Sequence, residues 1–327
     1  MKALKLLITL VVGLGFVQTA QAQEIIGVAT GQQGSLGFKT GAVVAKLLNT
    51  KMGIKARTQP QAGVTAYIPL INKGEMHFGY SNAVEATFAF HGEGTFKGKE
   101  NAGLRLIGMM FPLRTGLMVA KDKGIETIQD LAKHKGNLRI ASEYTASTII
   151  PYYIAGALAN GGLTYDDFKK VPVSSFVKGM ASLGEDKADI TLISLGSGAS
   201  HKVSSQLRSR GGITYVSLDT SPDAFKRFQK FLPAATIISM GPNKKFPGLD
   251  SKKNIIEIPW MMLTSDKVSD ELAYRVTKAI AENKDELAKS FGAFNGANMK
   301  KMAPKISVPY HPGSIKYFKE AGIAVNG

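Results

Sequence analysis

Residues 25–52 read IIGVATGQQGSLGFKTGAVVAKLLNTKM. Apolar residues crowd the first six positions, glycine and small polar residues fill the middle, and the rest repeats apolar residues at three- and four-residue spacing. This pattern predicts a strand over 25–30, a glycine-rich turn and an amphipathic helix over 41–52, the opening unit of an α/β sheet. The turn falls one residue short of a phosphate loop. A P-loop needs glycine directly before lysine and a hydroxyl residue, but here Phe38 separates Gly37 from Lys39 and Thr40. The glycines let backbone approach a ligand closely, whether that ligand is a nucleotide or another anion. Lys39 itself reads as an exposed helix residue.

Working outward toward the amino end, Lys2 and Lys5 precede the apolar run LLITLVVGLGFV (6–17) and then QTAQA, with Ala20 and Ala22 spaced as a cleavage signal. The run is too short to span a bilayer, so residues 1–22 are expected to be a secretory signal peptide cleaved after Ala22, which places the mature chain in the periplasm. ATP is scarce there, which argues against a nucleotide enzyme. The chain has 0 cysteines, so stability must come from a sizeable core rather than from disulfides. The net charge of +16 falls to +14 once Lys2 and Lys5 leave with a leader that contains no acid. Such a charge favours anionic partners. The basic residues are spread evenly without interleaved aromatics, so nucleic acid is not expected as a partner.

Short apolar strands alternate with helical patterns along the rest of the chain. Strands are predicted over 105–111, 138–142, 189–194 and 254–263, and a long helix over 270–291, begun by Ser269 with Asp270 and Glu271 behind it. That alternation implies mostly parallel sheets with helices on both faces. The stretches 71–81 and 182–194 share a helix end, a Gly-Glu turn and a strand running into serine. Two sheets, each with a polar loop at its carboxyl edge, would enclose a cleft, and ligands bind open α/β sheets at that edge.

Catalytic signals are sparse. His77, His91, His134, His201 and His311 show no metal-ligand spacing, and no metal or other cofactor is expected. LGSGAS around Ser197 lacks the glycine that a nucleophile elbow needs two residues earlier, where Leu195 stands. What recurs instead is strand, small polar residues, helix: VATGQQGS at 28–35, GYSNAVE at 79–85, IASEYTASTI at 140–149 and ISLGSGAS at 193–200. Each sets hydroxyls and free backbone N–H groups near a helix amino terminus, an arrangement that holds anions. The candidate ligand-binding residues are therefore Gly34, Ser35, Ser81, Asn82, Thr145, Ser147, Thr148 and Ser197. Arg114, beside a strand, either pairs bidentately with a carboxylate or lies on the surface. Trp260 either walls the cleft or packs the hinge. Glu85 and Glu143 are the acids within these loops, so a cationic ligand would find little to neutralise it.

These residues bear a resemblance. VATGQQGSLGFKTGAVVAKLLN (28–49) is similar to the opening loop and helix of the TAXI family, the extracytoplasmic solute receptors of one class of TRAP transporter. FPLRTGLMVAKDKGIETIQDLAKHKGNLRI (111–140) and SSFVKGMASLGEDKADI (174–190) resemble further segments, and VPYHPGSIKYFKEAGI (308–323) resembles the family's end. The resemblance implies a two-lobed α/β type II periplasmic-binding-protein fold with the ligand cleft between lobes. Lobe 1 would comprise 23–117 plus 259–327, and lobe 2 would comprise 118–258. It further implies a monomeric, non-enzymatic receptor that delivers a small organic anion, such as 2-oxoglutarate or glutamate, to TRAP-type membrane permease subunits. The competing reading is a periplasmic enzyme acting on a small carboxylic acid. Three departures bear on specificity. Gly37 and Phe38 stand where the family has tyrosines, 143–148 matches the family loop only at Thr148, and Asn82 replaces an acid after Ser81.

Overall fold

The computed structural model describes residues 25–31, 33 and 35–325. The signal peptide expected over 1–22 lies outside the described residues. The first third contains β1 (Ile26–Thr30), α1 (Leu36–Met52), β2 (Ala56–Pro60), α2 (Val64–Asn72), β3 (Gly79–Asn82) and α3 (Ala83–His91). The long strand β4 (Leu104–Ala120) leads on to α4 (Ile128–Ala132), β5 (Arg139–Glu143), α5 (Ile150–Asn160) and β6 (Lys169–Val173). Then come α6 (Phe176–Gly184), β7 (Thr191–Ser194), α7 (Gly198–Gln206), β8 (Ile213–Tyr215), α8 (Pro222–Gln229) and β9 (Thr236–Met240). A second long strand, β10 (Lys253–Ser265), precedes α9 (Asp270–Glu282), α10 (Lys284–Ser290) and α11 (Pro312–Glu320).

The fold is a mixed α/β architecture of two lobes joined by β4 and β10. These strands pair antiparallel from Ile256 opposite Thr115 to Ser265 opposite Leu104. At one end β10 also carries β3. At the other, β4 carries β7 and β8, and β10 carries β9. Beyond this ladder each lobe has its own parallel pair, β1 with β2 and β5 with β6. The expectation of mostly parallel sheets therefore holds only for these outer pairs. Two strands that each cross between the lobes, joined through a whole lobe, return in opposite directions, so every ladder built on them is antiparallel.

Burial explains the strand lengths. β4 is buried at nearly every position from Leu104 to Phe111 and again from Thr115 to Ala120, with half-buried Pro112, Leu113 and Arg114 between. The predicted strand 105–111 is thus the first half of an element that continues into the second lobe. The predicted helix 270–291 is two helices, broken at Asn283, where φ is −119°. There the Asn283 side-chain amide donates to the Ala279 carbonyl at 2.8 Å, a local bond that competes with continuing the helix. One contiguous apolar core runs through both lobes, and a smaller one gathers Met118, Met180, Ile193 and Tyr215. The lobes touch where Phe88 of α3 meets Tyr152 of α5, ring centroids 5.2 Å apart. No helix among the described residues is long and apolar enough to cross a membrane.

Candidate functional site

Thr30 is the last residue of β1, and Ser81 and Ser142 are the next-to-last residues of β3 and β5; all three are buried. None of these three hydroxyls has a hydrogen-bond partner among the described residues. The same is true of the buried Tyr80, Tyr153 and Tyr165 hydroxyls and of the Trp260 indole N–H. An unsatisfied buried polar atom costs about 1–3 kcal/mol, and native proteins tolerate few of them. Three of them, Thr30, Ser81 and Ser142, lie at or beside strand ends.

Around β1, Ser35 caps α1 by accepting from the Phe38 amide at 3.1 Å. Its neighbour Gly34 lies outside the described residues. Lys39 is an exposed residue of α1, so the near-P-loop brings no lysine to the turn. Gly37 is buried because Trp260 leans on it; a Cβ there would sit 3.7 Å from the indole ring and 3.5 Å from the Gly31 nitrogen. Trp260 pairs across β10 with Asn82.

At β3, Asn82 caps α3, accepting from the Glu85 amide at 2.8 Å and donating to the Glu85 carboxyl at 3.1 Å. Glu85 is buried at 4% exposure. Burial pushes its pKa up to about 7, against the pull of Asn82 and Ser81 toward the ionised form. Ser81 lies close enough to favour that form without completing an aligned hydrogen bond. Tyr153, reaching over from α5, is raised in turn, first by burial and then by the nearby Glu85 charge. One acid therefore sits where both lobes meet.

At β5 the chain departs from ordinary geometry. Glu143 and Tyr144 are consecutive non-glycine residues with φ of 68° and 49°, a conformation that costs on the order of 1 kcal/mol or more per residue. Tyr144 is held by burial and by a 3.1 Å bond between its hydroxyl and that of Thr191. Gly179 makes room for its ring, since a Cβ there would lie 2.4 Å from it. The loop that follows does not cap α5, whose first turn has no side-chain acceptor. Ser147 instead accepts from the Phe176 amide at 3.1 Å, and exposed Thr145 donates to the Ser174 carbonyl at 3.4 Å. Both belong to a junction with α6, and Thr148 is exposed beside them.

Ser197 caps α7, accepting from the Ser200 amide at 3.1 Å. The His201 amide donates to the Ser197 carbonyl at 3.4 Å, and among the described residues no histidine ring is bonded to the Ser197 hydroxyl. Its loop meets β4 where the Leu195 amide donates to the Arg114 carbonyl at 2.9 Å. The Arg114 guanidinium is ion-paired through Nε with Glu257 at 2.8 Å, and both side chains are partly exposed. Ser81, Asn82, Trp260 and Tyr153 thus cluster about Glu85, while Thr145, Ser147 and Thr148 form a separate group on lobe 2. Thr30, Ser142, Glu85 and Tyr153 are the residues that sequence reasoning left off the site. Thr30 and Ser142 lie within the recurring strand-to-loop pattern itself, whereas Tyr153 carries no sequence signal. No group of histidines and acids among the described residues could hold a metal ion. An open groove of about 280 Å³ lies at the amino-terminal end of β1, lined by Ile26, Ile54 and Arg275 among others. It is away from the strand ends that carry these polar groups.

Solved structures share the fold. A TctC solute-binding protein from Polaromonas superposes with a TM-score of 0.54 at 12% identity, covering 83% of this chain and 88% of that one. MatC from Rhodopseudomonas palustris, solved with bound malate, gives 0.53 at 12% identity over 85% and 90% of the two chains. PhnD1 from Prochlorococcus marinus, in complex with methylphosphonate, gives 0.53 at 12% identity over 92% and 99%. At the level of sequence, the model of the NMT1-like family matches residues 28–322, nearly the whole described chain, and the protein belongs to that family.

Proposed function

We propose that this protein is an exported receptor that captures a small organic anion between its lobes and hands it to a membrane permease. The observation that carries this reading is the set of buried, unpartnered donors that includes the Thr30, Ser81 and Ser142 hydroxyls at or beside strand ends, the Tyr153 hydroxyl of α5 and the Trp260 N–H of β10. The fold shared with solute-binding proteins supports it, as do the ligands bound in two of them, malate and methylphosphonate, both anionic. The TAXI-like motifs favour a TRAP-type permease as partner, a mono- or dicarboxylate as ligand, and a monomeric receptor without turnover chemistry. Within this reading, 23–117 plus 259–327 form one lobe and 118–258 the other, and β4 and β10 flex between them. A ligand gripped by both lobes stabilises the closed form, because contacts to the second lobe exist only there.

A thermal-shift screen of malate, 2-oxoglutarate, glutamate and related acids is expected to raise the melting temperature with at least one of them. The same acid should shrink the radius of gyration in solution scattering and be recovered unchanged by mass spectrometry. A chemically altered acid would favour the periplasmic-enzyme reading, and an unchanged radius would rule out closure.

Arg114 is proposed as a further carboxylate contact, through the guanidinium edge not engaged by Glu257. A hydrogen bond to a charged group contributes roughly 1.5–3 kcal/mol, so Arg114→Ala should weaken binding by about 10- to 150-fold. Wild-type affinity in titration calorimetry would return Arg114 to a purely structural pairing with Glu257.

A further inference from the structure

Among the described residues Glu85 is the one buried acid at the meeting of the lobes, and what faces it is unusual. From α2 and β3 come the buried tyrosines Tyr67 and Tyr80, and from α5 the buried Tyr153. The Tyr67 hydroxyl is spent on the Tyr80 carbonyl. β10 presents Trp260, Met261, Met262 and Leu263, none ionisable, and the turn over 94–96 presents none either. The stretch 304–310 approaches α3 through Ser307 and Thr87, 3.5 Å apart, with Lys305 exposed and Tyr310 bonded to the Pro304 carbonyl. His91 sits at the opposite end of α3, stacked edge-on with Phe90. Among the described residues no lysine, arginine or histidine pairs with Glu85.

We propose that Glu85 determines ligand specificity as a protonated carboxylic acid, donating its hydrogen to a carboxylate of the bound anion so that capture retains a proton. This deepens the receptor reading and rests on it. The chemistry follows from the surroundings. An ionised Glu85 would repel an anion entering a dry cleft, and two close carboxylates resolve that conflict by sharing one proton. Ser81 and Tyr153 each offer an unpartnered hydroxyl beside it, enough with the acid proton to serve several lone pairs of one carboxylate. Asn82 holds the other side of the Glu85 carboxyl by donating to Oε2. Burial already favours the neutral form, and a neighbouring ligand charge strengthens that preference.

The test uses the mature chain with 2-oxoglutarate, malate and glutamate as probes. Titration calorimetry at pH 6–9, in buffers of different ionisation enthalpy, counts protons exchanged on binding. Wild type should take up close to one proton per ligand at pH 8.5, where histidine no longer contributes. Its affinity should fall by about tenfold per pH unit above neutrality. Glu85→Gln keeps a donor without a titrating proton, so it should bind the same acid at an affinity that changes less than a few-fold over this range. Flat wild-type affinity with no proton uptake would overturn the proposal while leaving the receptor reading intact. Proton release on binding would also overturn it, since it would mean that an ionised Glu85 answers a ligand ammonium group. Should none of the three acids bind wild type at any pH, the carboxylate-receptor reading fails and takes this proposal with it. If Glu85→Gln does not fold by circular dichroism, the proton count on wild type decides alone.

Discussion

Gly313→Ala is expected to destabilise the protein by about 3 kcal/mol or more, although it replaces a glycine inside a helix. Helix propensity alone favours alanine there by roughly 1 kcal/mol. Geometry opposes it: a Cβ on Gly313 would lie 2.1 Å from the Asp270 carbonyl oxygen and 2.9 Å from the Tyr274 nitrogen. Both are backbone atoms, so no side chain can swing away, and α9 and α11 would have to separate. Overpacking in a well-packed interior typically costs about 1–3 kcal/mol, and a backbone overlap this deep belongs at or beyond the upper end. The crossing is held from both sides. Thr277 and Ser314 share a hydrogen bond at 2.8 Å, and the His311 ring bridges the Val268 carbonyl and the Gly313 amide. Urea melts of wild type and variant measure the difference directly. Equal midpoints would mean that the two helices shift apart at little cost.

Asp189→Asn should cost about 2–4 kcal/mol, with a defined pH signature. The Asp189 side chain is 5% exposed. Burial alone would raise its pKa, yet bonds from the Arg139 side chain and amide and from Lys123 hold it well below the ordinary carboxylate range. The Arg139 Nε lies 3.0 Å away, its backbone N–H 2.9 Å and the Lys123 ammonium 3.0 Å. Removing one member of a buried pair costs about 3–5 kcal/mol. Both cations here are about a third exposed, and screening trims that figure. The sign follows from the depressed folded-state pKa. Stability from this carboxylate is complete above the unfolded value near 3.9 and drains away as pH falls through the folded value. Chemical melts at pH 7 should therefore separate wild type from Asp189→Asn, and melts near pH 2.5, below the unfolded value but still above the depressed folded one, should narrow the gap. A gap that persists undiminished in acid would mean that shape, not charge, is what Asp189 contributes.

The fold was legible wherever burial on both faces wrote continuous apolar runs, as in 25–30, 138–142 and 254–263. It was less legible where an element changes partners midway. β4 reads as ending near Phe111 because Pro112, Leu113 and Arg114 interrupt its burial at the passage between lobes. Parallel strands were overcounted for a related reason, since alternating strands and helices give no hint that two strands traverse both lobes. At the site, Ser81 was picked out from the local pattern while Thr30 and Ser142 in the same pattern were not, and the 145–148 loop turned toward Ser174 and Phe176 rather than toward α5. Glu85 was visible only as an acid in a loop. Its significance depends on Tyr153, which lies 68 residues further along the chain and enters from the facing lobe.

The crossing strands also govern the order in which the molecule can assemble. Asn82 pairs with Trp260, and Leu104 with Ser265, so two ladders of the first lobe cannot exist before β10 has been made. Within the second lobe, by contrast, Arg139 finds Lys169 and Met118 finds Thr191 over far shorter loops. Closing a longer loop carries a larger entropic cost, and chains dominated by distant pairings fold slowly. The lobe synthesised first is thus the one completed last, and the emerging chain carries β3 and half of β4 unpaired until its final quarter arrives.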